Sequence, residues 1–243
     1  MKLVERWYSG RVYQDVTVVR WGHFGQPVIV FPTAGGDAEE IERMGLLDAL
    51  GGLLEAGRIK VYSCDSVAGA AIMRGEGSAG YRGALLKAYQ EFARYEMVPA
   101  VRADCLSPEI SVVTAGASVG AFNAVSMLCR FPDSVSAAVG MSGTYDMARF
   151  VGGAAGEELY FATPMYFLPG LNGGHLDALR TRFVILASGE GRWENIGESW
   201  RMADVLGSKG IPNRVDAWGP DYDHDWPTWR RMLPQYLAEL TGG

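Results

Sequence analysis

Ile110-Ser111-Val112-Val113-Thr114-Ala115-Gly116-Ala117-Ser118-Val119-Gly120-Ala121-Phe122-Asn123-Ala124-Val125 decides how this chain folds. Ile110, Val112 and Val113 read as a short buried strand ending near Ala115, and Ala121, Phe122, Val125 and Leu128 recur at helical spacing. Between them Gly116-Ala117-Ser118-Val119-Gly120 must reverse the chain within a few residues. Such a strand-turn-helix is the nucleophile elbow, which holds its central serine at positive φ with the hydroxyl clear of the sheet. A Cβ two residues to either side would collide with strand or helix, so glycine is expected at 116 and 120. Ala117, Ala121 and Ala124 keep the neighbouring surface small. With 32 glycines in the chain, a tight packing turn is the plainer alternative for the bare pentapeptide. No second serine stands in this pattern, and the flanking strand and helix give the stretch its meaning.

The elbow implies a sheet around it, and the rest of the chain supplies one. Leu3–Tyr8 and Gln14–Trp21 alternate and read as an antiparallel opening pair turned at Ser9-Gly10. Val28–Phe31 is a continuous apolar run, as in a strand buried on both faces. Asp37 with Glu40 three residues later predicts a capping box that opens a helix toward Leu50. Further strands are expected at Ile59–Cys64, Ala137–Met141, Phe183–Ser188 and Asn213–Trp218. Helices are expected at Tyr81–Val98, Ser199–Lys209 and Trp226–Leu240. This alternation predicts an α/β fold with a mostly parallel sheet, helices on both faces and antiparallel first strands. The less regular segment 143–179, rich in Gly and aromatics, reads as a lid or pocket wall.

Composition narrows the function. A chain of 243 residues that is 48% apolar can bury a large core, and one domain is expected. A net charge of −6 argues against nucleic acid as a partner, because phosphate contacts need clustered Lys and Arg. Met1–Gly10 is interrupted by Glu5 and Arg6, unlike a secretory signal. The uncharged stretch Ser111–Cys129 is too rich in Gly, Ser, Thr and Asn for a membrane span. Cys64, Cys105 and Cys129 lack metal-like spacing and fit reduced thiols, so a cytoplasmic location is expected. No metal or organic cofactor is called for.

A serine hydroxyl needs a neighbouring base to act as a nucleophile, and the base needs a carboxylate to fix its tautomer. The chain has three histidines. His23 precedes the first buried strand and His175 lies in the irregular segment. His224 follows the last strand, in the hydrolase chain order of serine, acid, histidine. Loops at the carboxyl ends of parallel strands open on one side of the sheet, which would bring Ser118 and His224 together. The acid should come from Gly189-Glu190-Gly191-Arg192-Trp193-Glu194-Asn195, where Glu190 and Glu194 compete. Oxyanion donors are available in the Val119 amide at the helix start and in the loop Thr33-Ala34-Gly35.

These motifs resemble an esterase family of the α/β hydrolases that includes S-formylglutathione hydrolases, feruloyl esterases, enterochelin esterases and mycolyltransferases. The resemblance runs from about Val28 to Tyr236. It rests on Phe31-Pro32-Thr33-Ala34-Gly35-Gly36, Gly116–Gly120, Met141-Ser142-Gly143-Thr144-Tyr145-Asp146 and His224-Asp225-Trp226-Pro227-Thr228-Trp229. It implies an α/β-hydrolase fold and a serine esterase acting on a small-molecule carboxylic ester, with Ser118, His224, an acid, and oxyanion amides at Ala34 and Val119. In that family the acid usually stands three residues after a glycine ending its strand. Counting from Gly189 reaches Arg192, which cannot serve, and counting from Gly191 reaches Glu194, which the resemblance favours over Glu190.

Other readings compete. Gly75-Glu76-Gly77-Ser78-Ala79-Gly80 matches the dinucleotide fingerprint, but the preceding strand ends many residues earlier, near Cys64. An acyltransferase would use the same acyl-enzyme with an alcohol as acceptor, and a non-catalytic binding module would keep only the scaffold. Trp193, Trp226 and Trp229, which cluster in sequence around the proposed site, and Tyr160, Phe161, Tyr166 and Phe167 are candidates for an aromatic or acyl pocket. Trp226, Trp229, Leu233, Tyr236 and Leu240 share a helical face and read as packing. A membrane partner is not expected, and the sequence leaves a homo-oligomer open.

Overall fold

A computed structural model describes residues 1–152 and 156–242 of the chain. The unbroken apolar run Val28–Phe31 lies in β3 (Gln26–Phe31), where alternate side chains enter two different cores. Val28 and Val30 pack with Ile41, Leu50 and Leu233, whereas Ile29 and Phe31 pack with Tyr89 and Phe122. A strand covered on both faces needs no polar side, which is why the run does not alternate.

The sheet has eight strands in the order β1-β2-β4-β3-β5-β6-β7-β8. β1 (Lys2–Ser9) and β2 (Gln14–Trp21) form the expected hairpin, with Lys2 opposite Trp21 and Ser9 opposite Gln14. β2 is antiparallel to β4 (Ile59–Cys64), and the remaining pairs are parallel. β5 (Val112–Ala117), β6 (Val135–Met141), β7 (Phe183–Ser188) and β8 (Asn213–Ala217) follow in line. Register aligns their carboxyl ends: Ala117 stands beside Met141, Met141 beside Ala187, and Ser188 beside Ala217.

The expected helix from Asp37 toward Leu50 is divided into α1 (Glu40–Arg43), α2 (Leu46–Ala49) and α3 (Gly51–Glu55). Gly45 at φ 72° breaks it after the first turn. The capping box is not formed. The Asp37 carboxylate accepts from the Glu39 amide, and Glu40 reaches back to the Thr33 amide (2.8 Å) and hydroxyl (2.6 Å). Glu40 therefore pins the loop after β3 instead of closing a helix end.

α4 (Val67–Met73) was not anticipated, and it separates β4 from the glycine-rich loop at 75–80. The dinucleotide fingerprint thus lacks the strand-to-helix context it requires. α5 (Ala79–Phe92) begins under a Ser78 cap, whose hydroxyl accepts from the Tyr81 amide at 3.1 Å. The helix does not stop at Val98. It widens into a π turn, Ala93–Met97, and continues as α6 (Val98–Asp104). Pro99 has no amide to give and its ring crowds the carbonyl four residues back, which the wider turn accommodates.

α7 (Val119–Arg130) is buried from Val119 to Cys129, so the uncharged stretch at 111–129 is a central strand and its helix. Among the described residues no helix is long and apolar enough to cross a membrane. The segment 143–179, of which 153–155 lie outside the described residues, holds α8 (Ala148–Val151), α9 (Gly156–Ala162), α10 (Pro164–Phe167) and α11 (Gly174–Leu179). It is fastened to α5 by Gln90 donating to the Ala162 carbonyl (3.0 Å) and Arg82 to that of Val151 (2.9 Å). α12 (Ile196–Ser208) and α13 (Trp226–Leu240) complete the layers. On α13, Trp229, Leu233 and Tyr236 are buried, while Trp226 and Leu240 are partly covered.

Candidate active site

Ser118 stands between β5 and α7 at φ 56° and ψ −120°, off the region an L-residue prefers. Its amide donates to the Met141 carbonyl at the end of β6 (3.0 Å), which holds the strained turn against the neighbouring strand. The flanking glycines are there for space. A Cβ on Gly116 would lie 2.4 Å from the Gly120 carbonyl carbon, and one on Gly120 would lie 2.4 Å from the Phe31 carbonyl oxygen. No L side chain survives such contacts with backbone. The close approach of Gly120 to Phe31 and Pro32 also sets the loop after β3 beside the start of α7, where both proposed oxyanion amides belong.

One strand further, Ser142 follows β6 at φ 48°, its amide bonded to the Ala187 carbonyl of β7 at 2.7 Å. Its hydroxyl donates to Glu194 Oε1. Ser188, the last residue of β7, stands 3.2 Å from Glu194 Oε2. His224 Nδ1 lies 3.5 Å from the same oxygen, and the Glu194 side chain is only 1% exposed. A carboxylate so buried depends on these partners for the hydrogen bonds that water would otherwise provide. Steps between adjacent strands thus lead from Ser118 through Met141 and Ser142 to Glu194 and His224.

The two loops that carry acid and histidine are laced together. The Gly191 amide donates to the Tyr222 carbonyl (3.0 Å), the Arg192 amide to Asp223 Oδ1 (2.6 Å), and the His224 amide to the Arg192 carbonyl (3.0 Å). Asp225 caps α13 by accepting from the Trp226 amide at 2.7 Å. The His224 and Trp229 rings are nearly perpendicular, with centroids 5.2 Å apart.

Of the two glutamates, only Glu194 is brought to His224. Glu190 is exposed, and its amide is spent on the Gly219 carbonyl at 2.9 Å. The other histidines are elsewhere. His175 Nε2 lies 2.8 Å from the Cys129 carbonyl near the far end of α7, and His23 borders a cavity with Gln26, Arg58 and Lys60 at the amino ends of β3 and β4. Tyr160, Phe161 and Phe167 line a groove of about 480 Å³ with Arg130 and Phe131. Twelve helical residues separate that groove from Ser118, about 18 Å at 1.5 Å per residue, so these aromatics do not wall the elbow. Of the serines that hold Glu194, Ser142 enters the sequence reading only within the Met141–Asp146 motif and Ser188 only as the end of a strand, neither with a role toward the carboxylate. Both stand where a parallel strand ends.

No family model matches the sequence, and no curated protein matches it. Solved structures do. A ferulic acid esterase superposes with a TM-score of 0.78 at 15% identity, covering 99% of this chain and 97% of that one. An S-formylglutathione hydrolase from Agrobacterium tumefaciens gives 0.72 at 11% identity, covering 99% and 94%. MPT51 (FbpC1) of Mycobacterium tuberculosis gives 0.70 at 18% identity, covering 98% of each. The strand order, the strained serine between β5 and α7 and these superpositions agree that the chain has the α/β-hydrolase fold, in the form the resemblance of its motifs to esterases implied.

Proposed function

We propose that the protein is a serine esterase that hydrolyses small carboxylic esters through an acyl-enzyme on Ser118. The observation that carries this reading is the pairing of His224 Nδ1 with a buried Glu194 on the edge of the sheet where the strained Ser118 turn emerges. Glu194 fixes the imidazole with its Nδ1 protonated, which leaves Nε2 to take the Ser118 proton as the hydroxyl attacks the ester carbonyl. The amides of Val119 and Ala34 hold the oxyanion, helped by the unpaired donors of the first turn of α7. His224 then returns the proton to the departing alcohol. Water, activated by the same imidazole, releases the acid and restores the serine.

The unpaired thiols Cys64, Cys105 and Cys129 support a cytoplasmic setting for this chemistry. Residues 143–149, which follow Ser142 and are tied to α12 by the Arg149 contact to Glu198 (3.3 Å), border the acyl group in this reading. The test is covalent labelling. A fluorophosphonate should label the wild type and not Ser118→Ala, and Ser118→Ala should lose at least about 10⁴-fold in p-nitrophenyl acetate turnover with its melting temperature nearly unchanged. Comparable turnover by the alanine variant refutes the mechanism.

A further inference from the structure

Glu194 sits in a closed ring of contacts that passes through two side chains outside the proposed catalytic three. Trp229 Nε1 donates to Ser142 Oγ at 2.9 Å, and Ser142 Oγ donates in turn to Glu194 Oε1. Oε2 faces His224 Nδ1, and the His224 ring meets the Trp229 ring at an interplanar angle of 83°. Each contact limits the next. An indole N–H can only donate, so the Ser142 oxygen must accept from it, and the hydroxyl proton is then directed at the carboxylate. Ser142 holds a positive φ to do this, a conformation that persists only where the surroundings over-determine it.

We propose that Ser142 and Trp229 are positioning residues for the acid: Trp229 orients the Ser142 hydroxyl, and that hydroxyl holds Oε1 of Glu194 so that Oε2 is presented to His224. The proposal rests on the serine esterase reading. The charged groups on the surrounding elements are matched elsewhere. Arg192 pairs with Asp223 (3.6 Å), Glu198 with Arg149 and Arg201, and Asp225 is taken up by the α13 cap. The ring therefore fixes how the carboxylate is presented to His224. Removing a donor from a buried carboxylate leaves its charge less satisfied, so it attracts an imidazolium beside it more strongly. The acid limb of the pH–rate profile must move to higher pH.

Ser142→Gly removes the hydroxyl at a position where glycine is conformationally at ease, so the fold is kept. With p-nitrophenyl acetate as substrate, the acid limb of kcat/KM should rise by about one pH unit and the plateau should fall by about tenfold. Trp229→Phe should move the limb the same way by less. In the double variant the limb should stand where it does in Ser142→Gly alone, because Trp229 acts on Glu194 through the hydroxyl, whereas a Trp229 that acts through its own contact with the His224 ring would move the limb further. An unmoved limb in Ser142→Gly, or additive effects in the double variant, overturns the positioning role. Wild-type protein that takes up fluorophosphonate and hydrolyses the ester while Ser142→Gly keeps its limb refutes the ring alone. A wild type that does neither refutes the esterase reading, and the ring's role falls with it.

Discussion

Replacing Glu194 with glutamine separates the two candidate acids and tests the site's electrostatics without changing its shape. Glu194 presents Oε1 to the Ser142 hydroxyl and Oε2 to both His224 Nδ1 (3.5 Å) and Ser188 Oγ (3.2 Å), from a side chain 1% exposed. Glutamine has one acceptor and one donor end, and neither orientation suits these partners. With its NH₂ toward His224, Nδ1 must become an acceptor and the imidazole adopts the wrong tautomer. With its NH₂ toward Ser142, that hydroxyl receives a second donor beside Trp229 Nε1 and its own proton loses the carboxylate. Substitution of the carboxylate by an amide in a Ser-His-acid triad costs about 10⁴ in kcat. A loss of about 10³–10⁴ in kcat/KM is expected here, equivalent to about 4–5.5 kcal/mol at 1.36 kcal/mol per decade. Glu190→Gln, at an exposed position, should stay within about twofold of wild type. Both variants should be assayed with p-nitrophenyl acetate at a pH where the wild-type rate is on its plateau, alongside melting curves. Equal losses in the two variants, or a folded Glu194→Gln within tenfold of wild type, refute the assignment.

Two further perturbations test the framework around the site. Gly120→Ala places a methyl 2.4 Å from the Phe31 carbonyl oxygen and 2.7 Å from that of Pro32, atoms that cannot swing aside. The overpacking should cost about 1–3 kcal/mol, a drop of about 2–12 °C in melting temperature, together with most of the activity; Gly10→Ala, which meets nothing within 4 Å, should change neither, and identical melting curves would contradict the elbow geometry. The thiols should differ in alkylation. Burial pushes Cys64 up to about 12 despite its contact with Tyr89 (3.1 Å) and raises Cys129 as well, disfavouring thiolate in both, while Cys105 is partly exposed. Iodoacetamide at mildly alkaline pH should modify Cys105 in the native protein and reach Cys64 and Cys129 only on unfolding, as read by mass spectrometry of peptides. Equal native labelling of all three would show that the core is open.

The fold was legible where one local cause sets one local outcome. Val28–Phe31 of β3 is apolar throughout because both faces are covered, whereas β1, at the edge of the sheet, is exposed for most of its length. Failures arose where two causes compete. Glu40 stands at the right spacing from Asp37 to close a capping box, but the Thr33 amide and hydroxyl in the loop after β3 claim its carboxylate, a tertiary choice that spacing cannot express. The periodic pattern ends at Val98, and Pro99 just beyond it is a local helix breaker. The buried side chains of Phe92, Met97, Val98 and Val101 instead keep the chain on the core through a π turn, so packing overrides the local breaker. Ser142 and Ser188 left no periodic trace, because what matters about them is which side chain two other loops bring above the strand ends.

Glu194 illustrates how local geometry absorbs a departure from a motif. Gly189 follows β7 directly, yet the residue three positions later is Arg192, and the glutamate that meets His224 stands five positions on. The surplus is taken up by a turn from Gly191 to Glu194, closed by the Glu194 amide on the Gly191 carbonyl at 3.3 Å, with Trp193 in the left-handed region at φ 62°. That turn sends Arg192 outward, its side chain 68% exposed, and brings Glu194 inward beneath Ser142 and Ser188. Trp193 carries the conformational cost of the turn while remaining 80% exposed, with no burial of its own to offset it. The fold therefore holds an unfavourable backbone conformation at the residue next to Glu194, in a turn held by the Arg192 amide on Asp223 and the His224 amide on the Arg192 carbonyl as well as by the contacts of the carboxylate it delivers. In this chain five residues from Gly189 bring the carboxylate of Glu194 to the ends of β6 and β7, where Ser142 and Ser188 meet it.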